Sequence, residues 1–162
     1  LPEASLNMVR VGMGEAGFFD TYIFKGIVKL YYPLTWKTQI SYIRNVTKGE
    51  TVGYGNHHKC ATNTTIVTIP LGYSNGLSKN YEGKGFVLIR NEKYGIVAVT
   101  MDQAMVDLKR IRDDLKIGEE VVILGKQQGA YINPEVAATQ IGIGIEEMLC
   151  QINPRIPRIF ID

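Results

Sequence analysis

From Leu34 to Tyr42 the chain alternates. Leu34, Trp36, Thr38, Ile40 and Tyr42 occupy every second position, with Thr35, Lys37, Gln39 and Ser41 between them. Successive strand side chains point to opposite faces, so this period of two predicts a half-buried β-strand. The same signal recurs downstream. Thr62 to Ile69 is rich in β-branched residues, which fit a pleated surface. Phe86–Arg90 and Ile96–Thr100 flank Asn91–Gly95 and read as a hairpin with a short loop. Met105–Leu108 and Val121–Leu124 add two strands, separated by the charged loop Lys109–Lys116 and by Gly118. Short strands at this spacing, punctuated by glycine turns, predict a mostly β domain of antiparallel barrel or sandwich type. The helical signals are confined to one region. Asn133 can cap, Pro134 suits the first helical position and Gly142 suits the stop, giving a helix over 134–141. A second short helix is expected over 145–149, and Pro154 and Pro157 punctuate the closing segment.

Residues 1–20 have a different pattern. Leu6 to Val11 is a short apolar run closed by Gly12 and Gly14, consistent with one buried strand and a tight loop. Residues 21–33 read as a connector. The β-domain would then occupy 34–162.

Composition narrows the function. A chain of 162 residues fits one domain with a small appendage. Hydrophobic content of 45% and charged content of 21% describe an ordinary globular protein. A net charge of +2 gives no case for nucleic acid or an anionic membrane surface. No apolar run approaches the ~18 residues of a membrane span. Cys60 and Cys150 lie far apart with no metal-ligand spacing, and neighbouring His57 and His58 would face opposite sides of a strand. A metal site is therefore not expected, and the thiols suit a reducing cytoplasm.

The stretch from Gly49 to Gly76 carries the chemistry. It holds two tyrosines beside glycines, Gly53-Tyr54-Gly55 and Gly72-Tyr73. Glycine on either side frees the backbone for turn conformations and removes crowding. Such a collar suits a phenol held out from a strand end, and equally a turn whose tyrosine covers a core edge.

Taken together, several segments resemble bacterial alanine racemase. They are Asn7-Met8-Val9-Arg10-Val11-Gly12, Gly49-Glu50-Thr51-Val52-Gly53-Tyr54-Gly55, Thr68-Ile69-Pro70-Leu71-Gly72-Tyr73 and Met101-Asp102-Gln103, followed by 118–125 and 155–160. They occur in the family's order across the whole chain, and they cover only its C-terminal portion. The resemblance implies a pyridoxal-phosphate TIM barrel upstream, with residues 1–20 as the remnant of its last strand and loop. A complete barrel needs roughly 200 residues or more, so this chain is expected to be a fragment.

Racemisation removes a Cα proton on one face and returns one on the other, so it needs two bases. In the resembling family one is the lysine that holds pyridoxal phosphate, which acts as electron sink. The other is a tyrosine from the partner subunit, and Tyr54 matches it. Free phenol has a pKa of about 10, so a tyrosine base needs positive charge or donors nearby. Arg10 matches the arginine facing the cofactor's ring nitrogen. Always charged, it discourages protonation there and so side reactions such as transamination. Gly12 and Met13 match residues whose N–H groups meet the phosphate. Met101 matches a backbone contact to the substrate carboxylate, and Tyr73 a tyrosine lining the entrance.

Several positions depart from the family. Lys79 and Ala98 stand where arginines are common. Glu146 stands where a tyrosine would bond the phosphate, although Tyr131 or a shifted register could serve. The cofactor lysine's context is absent, so the chain alone is expected to be inactive. The resemblance thus implies the C-terminal part of a cytoplasmic homodimer that makes D-alanine for peptidoglycan. A non-catalytic β-module binding a partner or small anion, a racemase of serine or lysine, and a fused cell-wall enzyme are the alternatives.

Overall fold

The computed structural model describes residues 6–18 and 29–161. The chain divides into two compact units, Leu1–Thr35 and Trp36–Asp162.

The first unit holds no strand over Leu6–Val11, contrary to the expectation of a buried one. Leu6 and Met8 are 83% and 75% exposed. A strand needs a neighbour to satisfy its backbone, and none pairs with this run among the described residues. Beyond Val11 the chain makes a tight turn. Glu15, Ala16 and Gly17 donate back to the carbonyls of Gly12, Met13 and Gly14 at 3.1 Å each. Gly17 closes the turn at φ +83°, and a Cβ there would come within 2.3 Å of the Tyr31 carbonyl oxygen. Most of the connector expected over 21–33 lies outside the described residues.

The second unit is the β-domain. Its strands are β1 (Trp36–Gln39), β2 (Tyr42–Val46), β3 (Thr51–Val52), β4 (His58–Lys59) and β5 (Thr64–Ile69). They continue with β6 (Phe86–Ile89), β7 (Glu92–Val99), β8 (Ala104–Asp107), β9 (Glu120–Gln127) and β10 (Ala130–Ile132). All pairings are antiparallel, in the order β1-β9-β6-β7-β8-β5-β2, with β10 beside β9. The mostly β, antiparallel expectation holds.

The expected single strand over 34–42 is two. β1 pairs with β9 and β2 with β5, at opposite ends of that order, yet only Ile40 and Ser41 separate them. Ile40 N–H donates to Glu119 O at 2.9 Å and Ser41 N–H to Thr68 O at 2.9 Å. One bent segment thus brings the two ends of the sheet together and curls it toward a barrel. The bend also breaks the alternation, burying Ile40 but exposing Tyr42.

The β6–β7 loop is tighter than expected. Arg90 and Asn91 alone form it, at φ +50° and +68°, the double left-handed turn that matches strand twist. Arg90 is held by Glu119 at 2.6 Å, which favours this unusual conformation for a non-glycine.

The core lies inside the curl. Val67, Ile69, Val87, Ile96, Val106 and Val121 to Leu124 are fully buried. Burying each such side chain contributes about 1.5–3 kcal/mol over leaving it exposed. β5 is buried at every position, so its threonines need partners. Thr65 donates to Asn45 Oδ1 at 2.6 Å and accepts from Arg112 N at 2.8 Å.

Two helices close the domain. α1 (Pro134–Ile141) begins at Asn133, whose Oδ1 accepts from Glu135 N at 2.8 Å, and ends at left-handed Gly142. α2 (Ile145–Gln151) runs two residues beyond the expected stop and buries Met148, whose sulfur accepts from Tyr81 Oη at 3.3 Å. No helix among the described residues is long and apolar enough to cross a membrane.

Candidate active site

Tyr54 stands at the tip of the β3–β4 hairpin. Val52 pairs with His58, and a single helical turn over Tyr54–Asn56 bridges the gap. Two glycines make that turn possible. Gly53 sits at φ +83° and Gly55 at φ +72°, both left-handed. The tyrosine is 77% exposed, and its hydroxyl bonds to nothing among the described residues. Its neighbours are more constrained. Thr51 Oγ1 donates to Asn56 Oδ1 at 2.9 Å, closing the loop beneath the phenol.

Gly53 rests on the larger sheet. A Cβ added there would lie 2.6 Å from the Ala98 Cβ. Ala98 is buried next to a bulge in β7, where Ile96 pairs with Val106 and Ala98 already with Met105, leaving Val97 as the extra residue.

Met101 comes three residues later, and Tyr73 is tied to it. Tyr73 N–H donates to Thr100 O at 3.0 Å and Ser74 N–H to Met101 O at 2.8 Å. Gly72 permits this approach, since a Cβ there would be 2.3 Å from Thr100 O and 2.6 Å from Asp102 N. Tyr73 and Met101 are 51% and 57% exposed. The loop beyond β7 is braced by Glu82, which accepts from Val99 N at 2.8 Å, and by Thr100 N–H donating to Gln103 O at 2.7 Å. Met101 N–H donates to nothing among the described residues.

The backbones carrying Tyr54, Tyr73 and Met101 therefore converge at the end of β7. Arg10, Gly12 and Met13 belong to the first unit. Arg10 forms no ion pair there among the described residues, and the N–H groups of Gly12 and Met13 donate to nothing among them. A Cβ on Gly12 would meet nothing within 4 Å. Of the departing positions, Lys79 and Glu146 are exposed while Ala98 is buried.

Sequence reading passed over the pairing of His58 with Asp107. Asp107 is 2% exposed on β8. Its Oδ1 accepts from Thr64 Oγ1 at 2.7 Å and Lys109 N at 2.8 Å, and its Oδ2 from Lys109 Nζ at 2.8 Å. His58 Nε2 lies 3.1 Å from the same Oδ2. Burial works against ionisation, but the hydrogen bonds from Lys109 and Thr64 outweigh it and hold the carboxyl below its ordinary value. The sequence signal was faint: an acidic residue closing an apolar strand, Ala104-Met105-Val106-Asp107.

Two exposed tyrosines and a backbone donor unpartnered among the described residues thus lie at one end of an antiparallel β-domain. Comparison with known proteins gives the family. The pattern described as "Alanine racemase, C-terminal domain" matches residues 33–160, and the chain belongs to that family. Over 162 residues it is 35% identical to the alanine racemase of Clostridium perfringens (strain SM101), covering 99% of this chain and 42% of that protein. Its fold matches the alanine racemase of Clostridium difficile 630 in complex with cycloserine at a TM-score of 0.84. That match has 32% identity and covers 96% of this chain and 40% of the other. The histidine racemase of Leuconostoc mesenteroides subsp. sake also matches, at TM-score 0.76 and 26% identity, over 83% of this chain and 36% of the other. The chain thus spans less than half the length of the relatives it matches.

Proposed function

We propose that the protein to which this chain belongs is an alanine racemase using pyridoxal phosphate, and that Tyr54 is one of its two bases. The carrying observation is the tip of the β3–β4 hairpin, where a tyrosine between two left-handed glycines presents a hydroxyl unpartnered among the described residues. A phenol so placed makes no hydrogen bond within its own domain among the described residues. It is available to a site built by another subunit, as expected for a homodimer with shared active sites.

Met101 N–H, unpartnered among the described residues on an exposed loop, would hold a substrate carboxylate. Tyr73, bonded to the same loop, would narrow the entrance. In the first unit the N–H groups of Gly12 and Met13, unpartnered among the described residues, fit a phosphate, and Arg10, without an ion pair among the described residues, fits a ring nitrogen that is to stay unprotonated. Pyridoxal phosphate, when bound, supplies an electron sink for the carbanion left at Cα. Tyr54 would take or return the Cα proton on one face. Residues 1–20 would then be the end of the barrel, and 34–162 the β-domain. The cytoplasm, where peptidoglycan precursors are made, is the compartment this reading implies.

A second substrate reading has its own support. One solved structure of matching fold is a histidine racemase, and exposed Lys79 departs from the entrance arginine that the resemblance implies. One assay separates the two. The full gene product, loaded with pyridoxal phosphate, is given L-alanine, L-serine, L-lysine or L-histidine and followed by loss of optical activity. Alanine is expected to lose its signal fastest. No loss with any amino acid would overturn the proposal.

A further inference from the structure

The hairpin that presents Tyr54 is too short to hold its own angle. β3 and β4 are two residues each and pair only with one another, apart from the eight-stranded sheet. Even full-length hairpins are marginal alone in water. Below the tip, Val52 packs on the small cluster of Val46, Cys60 and Ile66. That contact is apolar and sets no orientation. Arg44 holds Glu50 at the base of the hairpin at 2.5 Å, and two contacts nearer the tip tie it to the larger sheet. One is Gly53 on Ala98. The other is His58 on Asp107.

The second has the properties of a latch. Asp107 is buried and ionised, so its oxygens only accept. Thr64 and Lys109 supply three of its four donors, and all three come from the main sheet or the segment just after it. His58 supplies the fourth, and it alone comes from the hairpin. Because the carboxylate accepts, Nε2 of His58 carries the hydrogen and points the ring at Asp107. His58 lies directly across from Val52, the residue two before Tyr54. A ring locked there fixes the base of the turn on which the phenol stands.

We propose that His58, held by Asp107, is a positioning residue for Tyr54. This rests on Tyr54 acting as a base. Loss of the bond leaves the hairpin folded but free to tilt, and the hydroxyl leaves the geometry needed for proton transfer. A displacement of about 1 Å can cost on the order of 100-fold in rate. Substrate binding, which uses other loops, is little affected.

The test uses the full gene product loaded with pyridoxal phosphate. His58→Leu, with His58→Met as a second apolar replacement should one misfold, is expected to lower kcat about tenfold or more, with KM within about twofold. His58→Gln keeps an N–H near the position of Nε2 and is expected to recover most of kcat. Amide hydrogen exchange across residues 51–59, measured on the same proteins, should quicken with Leu or Met and return toward the parent with Gln. Parental kcat in the apolar variants, equal impairment with Gln, or unchanged exchange would each overturn the proposal. Tyr54→Phe is measured alongside. If it keeps parental kcat the catalytic reading fails, while a loss there with none in the apolar His58 variants removes the latch alone.

Discussion

Gly53 lies so close to Ala98 that a Cβ on the glycine would sit 2.6 Å from the alanine's own Cβ. The residue before the candidate base and a buried residue of the main sheet are thus fitted to each other. At Ala98 the small side chain is the counterpart of a glycine collar and faces no solvent.

Gly53→Ala should therefore lower activity roughly tenfold or more by shifting Tyr54, with the fold retained. Part of the effect comes from a backbone of φ +83° and ψ 173° that is almost confined to glycine and costs alanine about 1–3 kcal/mol. The rest comes from Ala98. Adding Ala98→Gly should recover the second part only, read as a partial return of kcat in the double variant.

Gly72→Ala acts on a different joint. Its φ of −138° suits any residue, so the obstacle is contact alone: Thr100 O at 2.3 Å from the new Cβ. The loops of Tyr73 and Met101 must part. KM for the amino acid should rise several-fold, as expected when a ground-state contact is weakened. Steady-state kinetics on the full gene product checks this.

Much of the architecture was legible in the sequence. The helix over 134–141 was marked at both ends by Asn133 and Gly142, because caps are local chemistry. Most strands of the sheet were visible as alternating or β-branched runs, but the three-residue β10 was not. What failed were features decided by long-range pairing. The alternation from Leu34 to Tyr42 looks like one strand, since nothing local reports that β1 and β2 bond to opposite ends of a sheet. The apolar run Leu6–Val11 looks like a strand but has no neighbour to pair with among the described residues. At the site, the glycines around Tyr54 and Tyr73 were readable because positive φ and close approach select for glycine. The pairing of His58 with Asp107 was not, since they meet only when a hairpin folds onto a strand 49 positions away.

Asp107→Asn should destabilise the β-domain by about 1–3 kcal/mol near neutral pH, as expected when charge-assisted hydrogen bonds to a buried carboxylate are lost. The sign of the pH dependence comes from a carboxyl held below its ordinary value. Its stabilisation is complete above the unfolded value of about 3.9 and fades as pH falls through the lower folded value. The gap in denaturation midpoint between parent and variant should therefore hold from about pH 7 to 5 and shrink below about 4. A gap that widened on acidification would contradict the assignment.

The most direct test is the exchange of the Cα hydrogen in Tyr54→Phe. The variant should bind pyridoxal phosphate as the parent does and lose racemisation by about 100-fold or more. In deuterated water one enantiomer of alanine should still exchange its Cα hydrogen without inversion, and the other should not, because a single base has been removed. Racemisation at the parental rate, or equal loss of exchange from both enantiomers together with loss of the cofactor, would show that Tyr54 is not that base.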